Sequence, residues 1–135
     1  MKKFRGYIFS RKFGDERAPQ SVQNIVVRDY CLSRGYEFLL SKPEYALKNS
    51  YKVLFYAMNE LRHIDGMIFY SLFMLPENKK SRYEIYDKFL LLNKTLIFAL
   101  ENLEIKKRVD LNVIEEILNI KRVMDNKKFS QLVEI

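Results

Sequence analysis

The stretch from Met67 to Leu75 is a nearly continuous apolar run, and it constrains the fold more than any other feature of the chain. It begins after Asp65-Gly66, which is a turn signal, and it ends at Pro76. A strand with so few polar positions is typical of the centre of a parallel sheet, where helices cover both faces. The run therefore predicts a central strand and, with it, an α/β fold.

Further strand and helix signals alternate along the chain on both sides of this run. Apolar clusters predict strands at Phe4 to Phe9, Tyr36 to Leu40 and Thr95 to Leu100. Amphipathic spacing predicts helices that begin near Pro19, Tyr51, Ser81 and Asp110. This alternation requires a parallel sheet with right-handed crossovers. We expect a single α/β domain, with a core of about four strands and helices on both faces at residues 1–105 and a C-terminal helical extension at residues 106–135.

Charge and cysteine content limit the classes of protein to which the chain can belong. Its 135 residues carry a net charge of +7, which favours an anionic partner, although a basic surface can also serve solubility alone. The single Cys31 cannot form an internal disulfide, and together with the single His63 it cannot build a zinc site, so we expect no metal or cofactor. The sequence contains no secretory signal and no apolar run of about 20 residues. These features predict a soluble, cytoplasmic protein without a membrane span.

The candidate site lies where the carboxyl ends of parallel strands meet, because ligands of open α/β sheets bind in the crevice at that edge. The first loop there, Ser10 to Ala18, is charged and contains a glycine, and it leads into the first helix. Basic side chains beside a helix start predict a phosphate or diphosphate site, while the alternative is that they cap the helix and pair with Asp15 and Glu16. The other loops at this edge are Ser41 to Ser50, Ser71 to Glu77 and Glu101 to Arg108. The candidate ligand-binding residues are Ser10, Arg11, Lys12, Arg17, Gln20, Gln23, Tyr45, Ser71 and Glu101.

No residue pattern identifies a catalytic centre. A nucleophilic Ser10 needs a nearby base, and because His63 is predicted at the opposite edge of the sheet, a bond from this serine to the backbone is favoured. Glu101 can act as a general base or grip a sugar hydroxyl, or it can form a salt bridge to Arg11 or Arg28. We favour the salt bridge.

Several apolar and aromatic residues have both a structural and a functional interpretation. Tyr45 and Tyr51 can stack on a sugar or a base, or they can pack in the core. Cys31 is expected to be buried on the first helix. The last helix carries two adjacent apolar stripes, more than docking on one small sheet requires, which predicts a homo-oligomer; the alternative is a fully intramolecular helix that shields the edge of the sheet. The two stripes are Val113, Ile117, Ile120 and Met124, and Leu111, Ile114 and Leu118.

The order of elements resembles the catalytic domain of serine recombinases, in which a catalytic serine follows the first strand. The family motif there is Tyr-x-Arg-x-Ser, whereas this chain has Tyr7, then Ser10 followed by Arg11. The family's arginine-rich motif after the third strand aligns with Leu72 to Glu77, which contains no arginine. The resemblance implies a resolvase-like, flavodoxin-like fold without recombination chemistry, because the arginines that neutralise the phosphodiester are missing.

A second resemblance covers Gly6 to about Ile105, which is about three quarters of the chain. The segments GYIFSRKFGDERAPQSVQN, VRDYC, YSLFMLP and ALE are similar to a family of bacterial "sporadic carbohydrate cluster" proteins. This resemblance implies a role in surface-polysaccharide or modified-sugar biosynthesis, and it implies no particular reaction.

Three functions remain open. The leading hypothesis is a protein of surface-glycan biosynthesis that binds an anionic sugar compound, a nucleotide sugar or a sugar phosphate, at the strand-end crevice. The second is a non-catalytic, recombinase-like module that binds nucleic acid. The third is a structural or assembly partner of an enzyme in a glycan pathway. The sequence does not indicate whether any reaction is catalysed.

Overall fold

Five strands form one sheet in the computed structural model, which describes residues 1–13 and 17–133 and the side chains as far as residue 127. The strands are β1 (Lys3–Ile8), β2 (Glu37–Pro43), β3 (Gly66–Phe69), β4 (Thr95–Phe98) and β5 (Leu103–Ile105). The helices are α1 (Gln20–Ser33), α2 (Lys52–Ala57), α3 (Lys79–Leu91) and α4 (Leu111–Val133). Short 3-10 segments lie at Met58–Arg62, Leu72–Met74 and Arg108–Asp110.

The sheet has the order β2-β1-β3-β4-β5, and its first four strands are parallel. The predicted α/β domain with a parallel sheet is confirmed. The strand count differs by one, because β5 pairs antiparallel with β4 through Phe98 and Leu103. This strand lies inside the segment Glu101 to Arg108 that was predicted as a loop; it is too short to show an alternating pattern.

The predicted central strand from Met67 to Leu75 is wrong in its length. Only Gly66–Phe69 is a strand, and the chain then turns into a 3-10 segment. The Ser71 hydroxyl starts this turn by accepting a hydrogen bond from the Phe73 amide at 3.1 Å. The residues after the turn remain apolar because they are also buried, so hydrophobicity alone gave no sign of the strand's end.

β2 is not the short buried strand predicted at Tyr36 to Leu40. It runs from Glu37 to Pro43 along an edge of the sheet, where only β1 pairs with it. Its register against β1 shifts between Arg5 and Tyr7, which is a β-bulge. Gly35 follows α1 with a φ of 73°, a conformation that glycine adopts without strain.

The apolar residues of α1 do not all lie on the face that the helix turns to the sheet. Val22, Ile25 and Leu32 are exposed, whereas Val27 and Gln23 are fully buried. The reason is local, because the Gln23 side chain pairs with the backbone of Phe9 and thereby sets the rotation of the helix.

The other helices pack largely as their spacing predicts. The segment beginning with α2 buries Leu54, Ala57, Met58 and Leu61, although it changes from α-helix to 3-10 helix after Ala57. α4 buries Leu111 and Ile114 and leaves the stripe of Val113, Ile120 and Met124 about half exposed. Among the described helices, none is long and apolar enough to span a membrane.

Candidate functional site

The segments that follow β1, β2, β3 and β4 lie at one edge of the sheet, as the parallel topology requires. We call this edge the strand-end crevice. Its side chains form two clusters. One joins Arg11 to the segment between β2 and α2, and the other joins Ser71 to Glu101. The contact between Phe13 and Tyr70, with ring centroids 5.8 Å apart, connects the two.

Arg11 holds the segment between β2 and α2 in place. Its guanidinium donates to the carbonyl oxygens of Tyr45 and Ser50, both at 2.8 Å. The same group lies 4.0 Å from the ring centroid of Phe9 and 5.1 Å from that of Tyr51. These contacts are the cation–π and hydrogen-bond geometry that arginine favours in partly buried positions. Arg11 is therefore engaged by the protein, and its predicted role in binding a ligand remains untested.

Glu44 is the residue of this region that the sequence analysis missed. Its carboxylate is buried and accepts hydrogen bonds from the Tyr7 hydroxyl at 2.8 Å and the Leu54 amide at 3.1 Å. It also accepts from the Val53 amide at 3.2 Å, so it holds the amides at the start of α2. Burial, followed by the nearby Glu44 charge and its hydrogen bond, raises the pKa of Tyr7 far above its ordinary value. The sequence did contain a signal for this role. Glu44 lies between a strand and a helix, and the first amides of a helix need acceptors from outside the helix.

Ser10 has no base among the residues that the structure describes around it. Its hydroxyl donates to the Glu44 carbonyl oxygen at 3.4 Å, which is a weak structural bond. His63 is exposed and precedes β3, so it lies toward the opposite edge of the sheet, as predicted. The geometry supplies no activation of Ser10 as a nucleophile.

The polar residues at the start of α1 divide into one structural residue and several exposed ones. Gln23 is fully buried and completes its bonding with the Phe9 backbone at 2.9 and 2.8 Å and with the Ala18 carbonyl at 2.8 Å. Lys12 and Arg17 are exposed, and Gln20 is partly exposed. Residues 14–16, in the middle of the loop, lie outside the described residues. The predicted pairing of the basic side chains with Asp15 and Glu16 therefore also falls outside them.

Ser71 and Glu101 meet, as their positions after neighbouring strands predict. The Ser71 hydroxyl donates to the Glu101 carboxylate at 2.7 Å, and the Leu72 amide donates to the other carboxylate oxygen at 2.8 Å. Ser71 is buried and Glu101 is half-buried. Within the described part of the chain, Glu101 forms no salt bridge with Arg11 or Arg28, the partners expected from the sequence. The carboxylate instead stabilises the turn after β3.

A third polar cluster, between α3 and α4, borders the crevice. Arg82 forms a bidentate salt bridge with Glu115 at 2.8 and 2.9 Å and donates to the carbonyl oxygens of Pro76 and Glu77. The Tyr86 hydroxyl donates to Glu115 at 2.8 Å. Burial raises the pKa of Glu115, but the hydrogen bonds from Arg82 and Tyr86 outweigh it and keep that pKa below the ordinary value. Beside this cluster is a groove of about 760 Å³ lined by Phe73, Leu75, Lys79, Leu118 and Arg122.

Metal and thiol chemistry find no support in the described residues. No group of three or more histidine, cysteine, aspartate or glutamate side chains there is arranged to hold a metal ion. Cys31 is buried on α1, as predicted, and burial raises the pKa of its thiol to about 11. A thiol with such a pKa is protonated at neutral pH and is a poor nucleophile.

Exposed cations surround the strand-end crevice. Within the described residues, they form no ion pair. Among the described residues of the segments that follow β1 to β4, Glu77 is the exposed carboxylate. Glu44 and Glu101 are less exposed and already accept hydrogen bonds. The edge is therefore suited to an anionic partner. The cations are Lys12, Arg17, Lys42, Lys48, Lys79 and Lys80.

Comparison with known proteins gives a relationship at the level of fold. No family model and no curated protein matches the sequence, so no finding supports the resemblance to the sporadic carbohydrate cluster family. Among solved structures, a resolvase family site-specific recombinase from Streptococcus pneumoniae is similar, with a TM-score of 0.62, 11% identity and 97% of each chain covered. The N-terminal catalytic domain of TP901-1 integrase has a TM-score of 0.58 and 13% identity, covering 97% of this chain and 99% of that one. The chain thus has the fold of resolvase-type catalytic domains.

Proposed function

We propose that this protein is a non-catalytic module of the resolvase fold that binds nucleic acid at its strand-end crevice. The observation that carries the proposal is the separation of its cations into two groups. Two arginines that border the crevice, Arg11 and Arg82, are engaged with carbonyl oxygens and with Glu115. The remaining cations are exposed and unpaired within the described residues.

This separation argues against strand cleavage. Phosphodiester cleavage develops negative charge in its transition state, and fixed donors aimed at that charge supply most of the stabilisation. Here Ser10 lacks a base in the described surroundings, and the turn at Leu72–Met74 contributes no cation. Exposed lysines, in contrast, neutralise backbone phosphates without doing chemistry.

The similar solved structures are consistent with this proposal, since one is described as a site-specific recombinase and the other as the catalytic domain of an integrase. Binding of an anionic sugar compound is the second candidate. It is favoured by the start of α1, where no side chain caps the helix and no acidic residue lies in the first turn. A phosphate group of such a ligand would suit that position beside Arg17.

A binding assay with matched variants tests the proposal. We expect labelled duplex DNA to bind in fluorescence anisotropy, with an affinity that falls steeply as salt rises. Lys12→Gln combined with Arg17→Gln should weaken this binding and flatten its salt dependence. The matched control is Lys2→Gln with Arg62→Gln, which removes the same charges from exposed positions at the opposite edge.

The outcomes separate the candidates. Equal loss in both double variants would show that only net charge matters, which contradicts a site at the crevice. Thermal stabilisation by nucleotide sugars, lost in the Lys12 and Arg17 variant and accompanied by no binding of nucleic acid, would establish the sugar compound instead. Supercoiled plasmid should remain intact with the wild-type protein. Nicking that disappears in Ser10→Ala would overturn the non-catalytic assignment.

A further inference from the structure

The segment between β2 and the end of α2 exposes aromatic rings to solvent. Tyr56 on α2 is 79% exposed, and Tyr45 in the preceding loop is 58% exposed. Phe55, beside Tyr56, is 39% exposed. These rings are not part of the core. α2 contacts the core through Leu54 and Ala57.

The charge on this surface has a single sign. Lys42, Lys48 and Lys52 are exposed, and Glu44 is the only acidic residue between positions 38 and 59. Glu44 is buried and occupied by its hydrogen bonds, so it does not neutralise the lysines at the surface. The exposed charges between positions 38 and 59 are therefore all cationic, and they lie among exposed aromatic rings.

Hydrogen bonds to Glu44 and Arg11 fix the backbone near the two tyrosines. The Tyr45 amide donates to Glu44 at 2.9 Å, and its carbonyl oxygen accepts from Arg11 at 2.8 Å. Tyr56 lies on α2, whose first amides Glu44 also binds. Lys52 precedes Tyr56 by four residues, so the two side chains share one face of the helix.

The β2 edge adjoins this helix face. Arg5 connects them, because it pairs with Glu60 just after α2 and donates to the Leu40 carbonyl oxygen at 2.9 Å. The charge of Lys42 lowers the pKa of Glu60 as well, although the Arg5 hydrogen bond is the largest influence. The exposed residues of β2 and α2 therefore belong to one continuous surface.

We propose that this surface, defined by Tyr45, Phe55, Tyr56, Lys42, Lys48 and Lys52, binds single-stranded nucleic acid, with bases stacked on the tyrosine rings and phosphates beside the lysines. Exposed aromatic rings interleaved with cations are the combination that holds single strands without reading their sequence. The proposal rests on the proposed function and goes beyond it: the surface shares Lys42 and Lys48 with the cations of the crevice and adds the exposed rings of α2, which would select a single strand.

The same observations argue against two other occupants. A second copy of the chain would bring like charges together, since the surface has lysines and no exposed carboxylate between positions 38 and 59. Insertion into a membrane surface needs a helix with a long free apolar face, but α2 has only six residues, and its Leu54 and Ala57 are buried against the protein.

Fluorescence anisotropy with a labelled oligothymidylate and with a duplex of equal length tests the proposal. We expect the single strand to bind more tightly, and Tyr45→Ala with Tyr56→Ala to weaken its binding about fivefold or more for each ring removed. Tyr45→Phe with Tyr56→Phe keeps the rings and should bind like the wild type. The matched control, Leu32→Ala with Leu91→Ala, truncates exposed residues on other helices and should change nothing.

Each result supports or overturns the stacking surface. If duplex binds but the tyrosine-to-alanine variant binds the single strand like the wild type, this inference is wrong while the proposed function stands. If neither nucleic acid binds, both fail. Binding to anionic phospholipid vesicles that is lost in the alanine variant, without binding of the oligonucleotide, would assign the surface to a membrane instead. Thermal melting of each variant confirms that it is folded.

Discussion

Removing the carboxylate of Glu44 is the most informative test of how the site is built. This one group joins β1, the segment after β2 and the start of α2. In Glu44→Ala, the Tyr7 hydroxyl and the Leu54 amide lose their acceptor in buried surroundings. The Tyr45 amide, in contrast, belongs to an exposed residue and can turn to water.

The expected cost follows from the number of buried donors left unpaired. Each of them costs about 1–3 kcal/mol, so the two buried donors together predict a loss of about 2–6 kcal/mol in the free energy of unfolding. Domains of this size have about 5–15 kcal/mol in total. The variant should therefore be strongly destabilised, with a melting temperature lower by at least about 7 °C.

Urea unfolding followed by circular dichroism measures this loss, and two variants calibrate it. Tyr7→Phe removes one donor and leaves the carboxylate bonded to backbone amides, so it should lose only about 0.5–1.5 kcal/mol. Glu44→Gln keeps one acceptor oxygen and turns an N–H group toward donors, so it should fall between the other two. If Glu44→Ala loses less than Tyr7→Phe, the carboxylate does not hold the segment together and the reasoning fails.

The remaining predictions concern the salt bridge between α3 and α4, the exposed stripe of α4 and the Arg11 contacts. Because the pKa of Glu115 is lowered in the folded state, the stabilisation that its charge provides is complete above the ordinary glutamate pKa and is lost as the pH falls through the folded value. The free energy of unfolding from urea melts should therefore depend less on pH in Glu115→Gln than in the wild type. An equal dependence on pH in the two proteins would contradict this. Light scattering after size exclusion should give a mass above the 16.3 kDa of one chain, and Val113→Glu with Ile120→Glu should restore the monomer; a monomeric wild type would refute this interface. Arg11→Lys keeps the charge but cannot reach both carbonyl oxygens, so limited proteolysis should cut the segment after β2 faster, and an unchanged rate would show that this segment is held without it.

The class of fold was predictable because the order of strand and helix signals along the chain is enough to define it. Strand and helix signals alternate, and that alternation allows few topologies. The errors in predicted strands lie where residues remain buried although the strand has ended. Leu72 and Met74 are as apolar as the strand before them, but Ser71 turns the chain through a hydrogen bond that periodicity does not reveal.

The candidate site was predictable in position and less so in the roles of its side chains. The carboxyl edge of a parallel sheet gathers its loops, so Ser71 and Glu101 meet as predicted. What a side chain does there depends on the partners that folding supplies. Gln23 was expected at a ligand, but it pairs with the backbone at the end of β1, because a side-chain amide can both accept from a backbone N–H and donate to a carbonyl oxygen.

The short strand β5 has a consequence for the far end of α4. Since β5 runs opposite to β4, the chain returns toward the amino edge of the sheet before α4 begins. The 23 residues of α4 extend about 35 Å, which is more than the sheet's strands span, so the helix passes beyond the carboxyl edge. A parallel fifth strand would have sent this helix the other way. Three residues of reversed direction thus carry Arg122 to the edge that holds the other exposed cations.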